Sequence, residues 1–427
     1  MMDKQLRILC VLPMYGGSLP IGRYCVRALA QMGHIVEEFD APALYPSYEA
    51  LESMRVTSDR LQYLQNSYLQ VVAQAVLAKA ETFEPDLVLA MAQAPLTRQA
   101  LKRLRRDGVA TAMWFVEDWR LFTYWKGYAA HYDLFAVIQK EPFFDELAAI
   151  GQDNALYLPL AAQPDVHAPL DLDAVERRKW GADVSFMGAG YPNRRLAFRE
   201  LARPGFKIWG TEWDGDHVLE PYVQLGGARV SSEQCVRIFN ATKVNLNLHS
   251  SIQAKELVSR GDFVNPRTFE VAACGGFQLV DERGLLPELF SDDEMATVSS
   301  IKELAEKTDY FLEHEDERLA YAQSARARVL AKHTCAHRMQ ALLDFAAERL
   351  PERLGGPWPR PRKADAVSGP DVPEEVRADI LALLDRLGLP ADVSFQDLVW
   401  AVRQQQGALS DLDAAILFLD EWRKLYT

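Results

Sequence analysis

Between residues 6 and about 161, short apolar runs alternate with longer segments whose apolar positions recur every three or four residues. The runs at 7–12, 35–39, 86–91, 110–116, 134–138 and 155–160 are nearly continuously apolar, the pattern of strands covered on both faces. Helical spacing falls between them at 21–32, 59–82, 96–106 and 142–150. A Pro- and Asp-rich stretch, 163–173, reads as a linker, and the alternation then restarts. Strands are expected at 183–187, 206–209, 244–249, 277–280 and 295–298, with helices at 193–202, 231–241, 266–274 and 301–312. A helical run over 315–350 closes this half. The pattern predicts an α/β chain with two tandem Rossmann-like domains facing across a cleft, 1–165 and 174–350. Residues 355–371, rich in Pro, Gly, Arg and Lys, read as a second linker. Beyond it, 372–427 carries helical periodicity in Ile380, Leu383, Leu384 and Leu387 and again in Ile416, Leu419 and Trp422. That extension is too small for a catalytic site of its own, so docking to a protein partner or homo-oligomerisation is expected.

A length of 427 residues is enough for two or three cores, and a net charge of −13 argues against a general nucleic-acid or anionic-membrane binder. Five scattered cysteines form no C-x-x-C pair, which points away from a disulfide framework or zinc knuckle and towards a reducing cytoplasm. No stretch approaches the ~20 apolar residues of a membrane span.

The most informative segment runs from Asn265 to Glu282. Asn265 suits an N-cap, Pro266 the first helical position, and Gly275 the left-handed residue that ends a helix. So short a helix adds little stability, and its exposed amino terminus, with Arg267 and Thr268, makes an anion site suited to phosphate. Glu270, one turn in, is placed to accept hydrogen bonds from ribose hydroxyls. Asp262 precedes it with seven residues between, so two carboxylates flank the same ligand position. The reading is a nucleotide-sugar site.

Further candidates lie at strand ends. Gly16 and Gly17 follow the first strand and allow close approach of a ligand, although a plain tight turn fits as well. Gly188 and Gly190 end the first strand of the second half and offer amides to a pyrophosphate, with Arg194 or Arg195 behind them, or else form a surface loop with two solvated arginines. Glu117 and Asp118 end a buried strand among aromatics, where a carboxylate can gain basicity and act as a general base, or simply cap a helix. His333 and His337 sit one turn apart without an obvious acidic third ligand, and Asp214-Gly215-Asp216 is one of several D-x-D matches in an acidic chain. Neither supports a metal site.

The Asn265–Glu270 segment, the Cys274–Glu282 segment, the strand Asp183–Gly188 and the late His333-Thr334 with Arg338 together resemble the CgeB-type glycosyltransferases. The resemblance is specific over 183–350, weaker over 1–165 and absent from 373–427. It implies the GT-B architecture and transfer of a sugar from a nucleotide-sugar donor to a glycan, lipid-linked or protein acceptor, without a metal and without a cofactor beyond the donor itself. Glu270 then matches the ribose-binding carboxylate and Asp262 an acidic residue near the donor sugar. The competing reading is a non-catalytic nucleotide-binding or assembly protein on the same fold. A nicotinamide oxidoreductase is disfavoured because neither half carries the full dinucleotide fingerprint.

Overall fold

The computed structural model describes residues 5–251, 262–354, 373–390, 393 and 395–426. In the first half, β1 (Arg7–Val11), β2 (Ile35–Phe39), β3 (Leu87–Met91), β4 (Ala110–Phe115), β5 (Leu134–Val137) and β6 (Ala155–Tyr157) form one parallel sheet. Its order is β2-β1-β3-β4-β5-β6. Every residue of β1, β3, β4 and β5 is buried, as their unbroken apolar runs require. In the second half, β7 (Ala182–Met187), β8 (Phe206–Trp209), β9 (Thr242–Asn247), β10 (Gln278–Asp281) and β11 (Ala296–Val298) form another parallel sheet. The order there is β11-β10-β9-β7-β8. The architecture is two Rossmann-like domains followed by a C-terminal set of helices.

Each sheet reverses its winding once, between β1 and β3 in the first and between β7 and β9 in the second. At such a switch point the connections leave in opposite directions and open a crevice at the carboxyl ends of the strands. Two candidate clusters therefore have a topological reason to be where they are.

The domains are tied together late in the chain. The helical run over 315–350 is two helices, Glu315–Lys332 and Cys335–Arg349, because Thr334 starts the second with a capping box to His337. The second helix packs on the helix Ser18–Gln31 of the first domain. One apolar core contains Cys25, Ala28 and Leu29 from that helix, Met339 and Leu342 from the late helix, and Phe269 and Ala272 from the second domain. The buried guanidinium of Arg338 fastens this junction: Nε donates to Pro159 O at 2.6 Å and Nη2 to Leu160 O at 3.1 Å.

Some elements differ from expectation. Residues 163–173 are less open than a linker: Gln163 and His167 are buried, and Asp173 forms a capping box with Glu176 at the start of a helix, Ala174–Trp180. The D-x-x-E pattern carries that signal. β9 begins and ends two residues earlier than the apolar pattern suggests, which leaves His249 beyond the strand. The expected linker 355–371 lies outside the described residues. The helices Glu374–Leu387, Phe395–Gln404 and Asp411–Tyr426 share a core of Ile380, Leu383, Leu384, Leu398, Val399, Val402 and Ile416. They dock on the first domain, where the Trp400 ring lies 5.2 Å from Phe83, with Lys79 over its face, and Asp397 pairs with Arg7.

Replacing Arg338 by alanine removes a charged donor from buried carbonyls. Arg338→Ala should destabilise the protein by about 2 kcal/mol or more, read as a lower urea midpoint. An unchanged midpoint would show that the late helix is held by its apolar face alone.

Candidate functional site

The helix Pro266–Ala273 starts at the carboxyl ends of β9 and β10. The Asn265 side chain accepts the Thr268 N–H at 3.2 Å, Pro266 occupies the first helical position, and Gly275 takes φ +75° past the end. Beneath the first turn lies a buried polar network. Asn247 Nδ2 donates to Thr268 Oγ1 at 3.0 Å and to Gln278 Oε1 at 2.9 Å, while Asn265 Nδ2 donates to Asn247 Oδ1 at 2.7 Å. Gln278 Nε2 closes the set on Thr268 O at 2.8 Å. Buried amides arranged in this way fix one helix position, because any other would leave donors unpaired.

His249 and Asp281 complete the support. The fully buried His249 ring places Nδ1 2.6 Å from Asp281 Oδ1 and receives the Asn265 backbone N–H on Nε2 at 2.8 Å. An accepting Nε2 puts the ring proton on Nδ1, so His249 is the neutral tautomer donating to Asp281. Burial lowers its pKa in the same sense, against the opposing pull of Asp281. His249 is thus a positioning residue for the helix start. Sequence reading missed both groups, although Asp281 ends β10 and His249 follows β9.

Arg267 and Glu270 project from the same first turns. Arg267 Nε donates to Met187 O at 3.1 Å, joining the helix to the end of β7 across the switch point, and Nη1 reaches Glu270 Oε2 at 3.2 Å. A third of the Arg267 side chain stays exposed, whereas Glu270 is almost covered. His167 faces Glu270 from the interdomain segment. Its Nδ1 accepts the Gln163 N–H at 3.0 Å, so the Nε2 proton points at Glu270 Oε1, 3.9 Å away. Burial lowers the His167 pKa and keeps this ring neutral.

Other candidates play different structural parts. The half-buried guanidinium of Arg194 donates to Leu248 O through Nε and Nη2 at 3.0 and 2.7 Å, and to Ala189 O through Nη1 at 2.9 Å. Burial lowers its pKa to about 10. The guanidinium braces the loop after β7 against the end of β9 and is not aimed at a pyrophosphate. Arg195 does the same for the carbonyls of Gly190, Trp213 and Asp214. A Cβ on Gly190 would lie 2.1 Å from Glu212 O, so a close approach of two loops already requires that glycine. Gly188 sits beside it at the end of β7, against the Phe186 ring.

Across the cleft, Gly16 and Gly17 follow β1 at the first sheet's switch point, and a Cβ on Gly16 would be 3.7 Å from Gln93 Oε1, just past β3. Gln93 Nε2 donates to Glu117 Oε1, and Tyr124 OH donates to Glu117 Oε2 at 2.8 Å. Burial pushes the Glu117 pKa up against those two hydrogen bonds. Asp118 turns the other way, accepting the Arg120 N–H at 3.0 Å and Gln139 Nε2 at 3.4 Å. It lies within electrostatic range of Arg283 of the second domain. Burial lowers the Arg283 pKa, while Asp281, Asp262 and Asp118 oppose that shift. Asp262 Oδ1 lies 2.9 Å from where a Cβ on Gly284 would be, and the Arg283 guanidinium itself reaches Phe263 O at 3.1 Å and Asp281 at 3.9 Å. Arg283, too, was missed by sequence reading.

The metal-like motifs are engaged elsewhere. His333 Nε2 meets Leu289 O at 3.0 Å and Nδ1 meets Arg338 Nη2 at 2.7 Å, while His337 Nδ1 meets Thr334 Oγ1 at 2.6 Å. Asp216 is buried against Arg199 at 3.0 Å.

Two parallel sheets with facing switch points define the GT-B class of fold, and comparison with known proteins agrees. Residues 185–344 match the family described as "Glycosyl transferase-like". Spore protein CgeB of Bacillus subtilis (strain 168) is 23% identical over 295 residues, covering 65% of this chain and 84% of the relative. Sucrose-phosphate synthase from Thermosynechococcus elongatus superposes with a TM-score of 0.54 at 13% identity, over 82% of this chain and 100% of that one. HepE of Anabaena, in complex with UDP and glucose, gives 0.54 at 12% identity, over 81% and 100%. The chain is CgeB-like, with two Rossmann-like domains in the GT-B arrangement. Among the described residues, no helix is long and apolar enough to cross a membrane.

The support network sets a stability ranking. Asn265→Ala should destabilise by about 1–2 kcal/mol through loss of the cap. His249→Ala should destabilise by about 3 kcal/mol, because it removes the ring's hydrogen bonds to the buried Asp281 carboxylate and to the Asn265 N–H and leaves a cavity in their place. Urea denaturation of the two variants checks the order, and a His249→Ala loss no larger than that of Asn265→Ala would contradict the positioning role.

Proposed function

We propose that this protein transfers a hexose-like sugar from a nucleotide-sugar donor to a glycan, lipid-linked or protein acceptor, in the cytoplasm and without a metal. The observation that carries the reading is the braced helix start at the second sheet's switch point, with Arg267 and Glu270 on its first turns and the first sheet's glycine loop opposite. A diphosphate placed there would meet the positive end of the helix and the guanidinium, and ribose hydroxyls would meet Glu270. HepE, a fold relative, is described with UDP and glucose bound, which supports a nucleotide-sugar ligand for this architecture.

As the sugar leaves the diphosphate, negative charge grows on the bridging oxygen. Fixed donors already aimed at that position stabilise it without reorganisation, the task a divalent ion performs in D-x-D enzymes. Arg267 would hold the diphosphate, with Asn265 and the buried Thr268 fixing the helix start beneath it, Gly188 and Gly190 forming the neighbouring wall and Arg194 bracing it. Gly16 and Gly17 would close from the acceptor side. If the reaction inverts configuration, Asp118 is the group to receive the acceptor proton. Both oxygens of Glu117 already accept hydrogen bonds from Gln93 and Tyr124, so its part is to hold the glycine loop's neighbour in place. Asp262 would contact the donor sugar.

Two outcomes are expected. Glu270→Ala should weaken UDP binding by about 1.5–3 kcal/mol in calorimetry, and Arg267→Ala should reduce UDP affinity far more than uridine affinity. Unchanged UDP affinity in a folded Glu270→Ala variant would remove the ribose assignment, and equal losses for both ligands would make Arg267 structural. In a transfer assay, turnover should persist in excess chelator. In an inverting enzyme it should fall by ~100-fold or more in Asp118→Asn. Loss of turnover on chelation, restored by manganese, would overturn the metal-free mechanism. A near wild-type rate for Asp118→Asn with inverted product would place the base elsewhere.

A further inference from the structure

Beside the proposed donor site, a cavity of about 960 Å³ lies between the domains. Its walls come from the loop after β1, the helix Ser18–Gln31, the 165–170 segment and the start of the helix Ser232–Ala241. Asn265, Arg267 and Glu270 do not line it. The volume is at the upper end for small-molecule sites, room for more than one sugar ring.

Two properties set the chemistry of an occupant. The first is charge: four arginines and only two carboxylates line the cavity, in a chain whose net charge is −13. Arg27 pairs with Asp165 at 3.2 Å and Arg237 with Glu176 at 3.2 Å. Arg229 instead has a carbonyl partner, Gly16 O at 3.1 Å, and a carbonyl neutralises no charge. Arg23 is half-exposed, and its Nη2 makes a loose, solvent-exposed ion pair with Asp40 at 3.7 Å. Arg229, and Arg23 by exchanging its exposed partner Asp40, are the two guanidiniums an anion would engage.

The second property is a row of tyrosines. The rings of Tyr15 and Tyr45 lie 4.8 Å apart, Tyr45 and Tyr48 6.3 Å, and Tyr48 and Tyr68 6.0 Å. Tyr15 and Tyr45 line the cavity, and Tyr15 is 52% exposed. Large rigid rings with a polar edge offer contact area at low conformational cost, which suits the apolar face of a sugar whose hydroxyls stay wet. The cavity also includes Gly16, at the first sheet's switch point.

We propose that this cavity is an acceptor subsite for an anionic saccharide, its sugar rings against Tyr15 and Tyr45 and its carboxylate or phosphate held by Arg23 and Arg229. The word acceptor rests on the glycosyltransferase reading above, while the anionic-saccharide chemistry rests on the cavity alone.

Binding of three probes to the full-length protein tests it: digalacturonate, maltose 1-phosphate and neutral maltose, each by titration calorimetry, with UDP thermal stabilisation measured on the same samples. At least one anionic probe should bind about tenfold or more tightly than maltose, and which one it is separates a carboxylate from a phosphate source. Arg23→Glu and Arg229→Ala should erase that preference, and Tyr15→Ala should weaken acidic and neutral probes alike. Arg23→Lys should keep most of the affinity, and ligand-free melting temperatures near wild type would show that the variants fold. Stabilisation by UDP should be the same in wild type and Arg23→Glu. Equal affinity for acidic and neutral probes, or no saccharide binding at all while UDP still stabilises, overturns the subsite and leaves the transferase reading standing. Parallel loss of UDP stabilisation in Arg23→Glu also overturns it, by assigning the cavity to the donor. If UDP stabilises nothing while digalacturonate binds through Arg23 and Tyr15, the anionic-saccharide site stands and the transferase reading fails.

Discussion

The pair of hydrogen bonds through His249 holds the functional half of this molecule in register. The ring passes one interaction from the buried Asp281 carboxylate to the Asn265 backbone N–H, and Asn265 in turn caps the helix and meets Asn247. Each member is buried or nearly so, and each has its partner fixed by the neighbour, so the group works as one unit. A helix of eight residues has little stability of its own. Its start stays where a ligand can use it because β9 and β10 deliver Asn247 and Asp281 to that point.

A second constraint joins this unit to the rest of the fold. Phe269 and Ala272, on the inner face of the same helix, belong to the core that also contains the first domain's sheet and the late helix Cys335–Arg349. His167, from the segment between the domains, covers Glu270 on the other side. The helix start is therefore coupled to both the domain junction and the interdomain segment. Movement of one domain against the other would change what surrounds Glu270 before it changed the helix itself.

Much of this was legible in the sequence because it is local. Continuous apolar runs gave the parallel strands, and Asn265-Pro266 with Gly275 gave the ends of the helix. What stayed hidden depends on contacts between distant residues. His249 and Asp281 are 32 positions apart and meet only because β9 and β10 are neighbours in the sheet. Arg283 and Asp118 come within electrostatic range only through the fold. Arg194 and Arg195 show the converse error: an arginine beside glycines reads as a ligand for phosphate, yet backbone carbonyls at loop ends claim both guanidiniums. The sequence shows a charge, and only the fold shows whether a carbonyl has already taken it.

The central claim is that the amino terminus of the helix Pro266–Ala273 receives a diphosphate. Pro266 has no N–H, so the Arg267 amide is the first helical donor, and hydrogen exchange across 265–270 with and without UDP reads its engagement directly. The account predicts slower exchange in this segment on adding UDP to the wild-type protein, and no slowing on adding uridine. Protection by UDP that appears only in other segments, or equal protection by uridine, would contradict it.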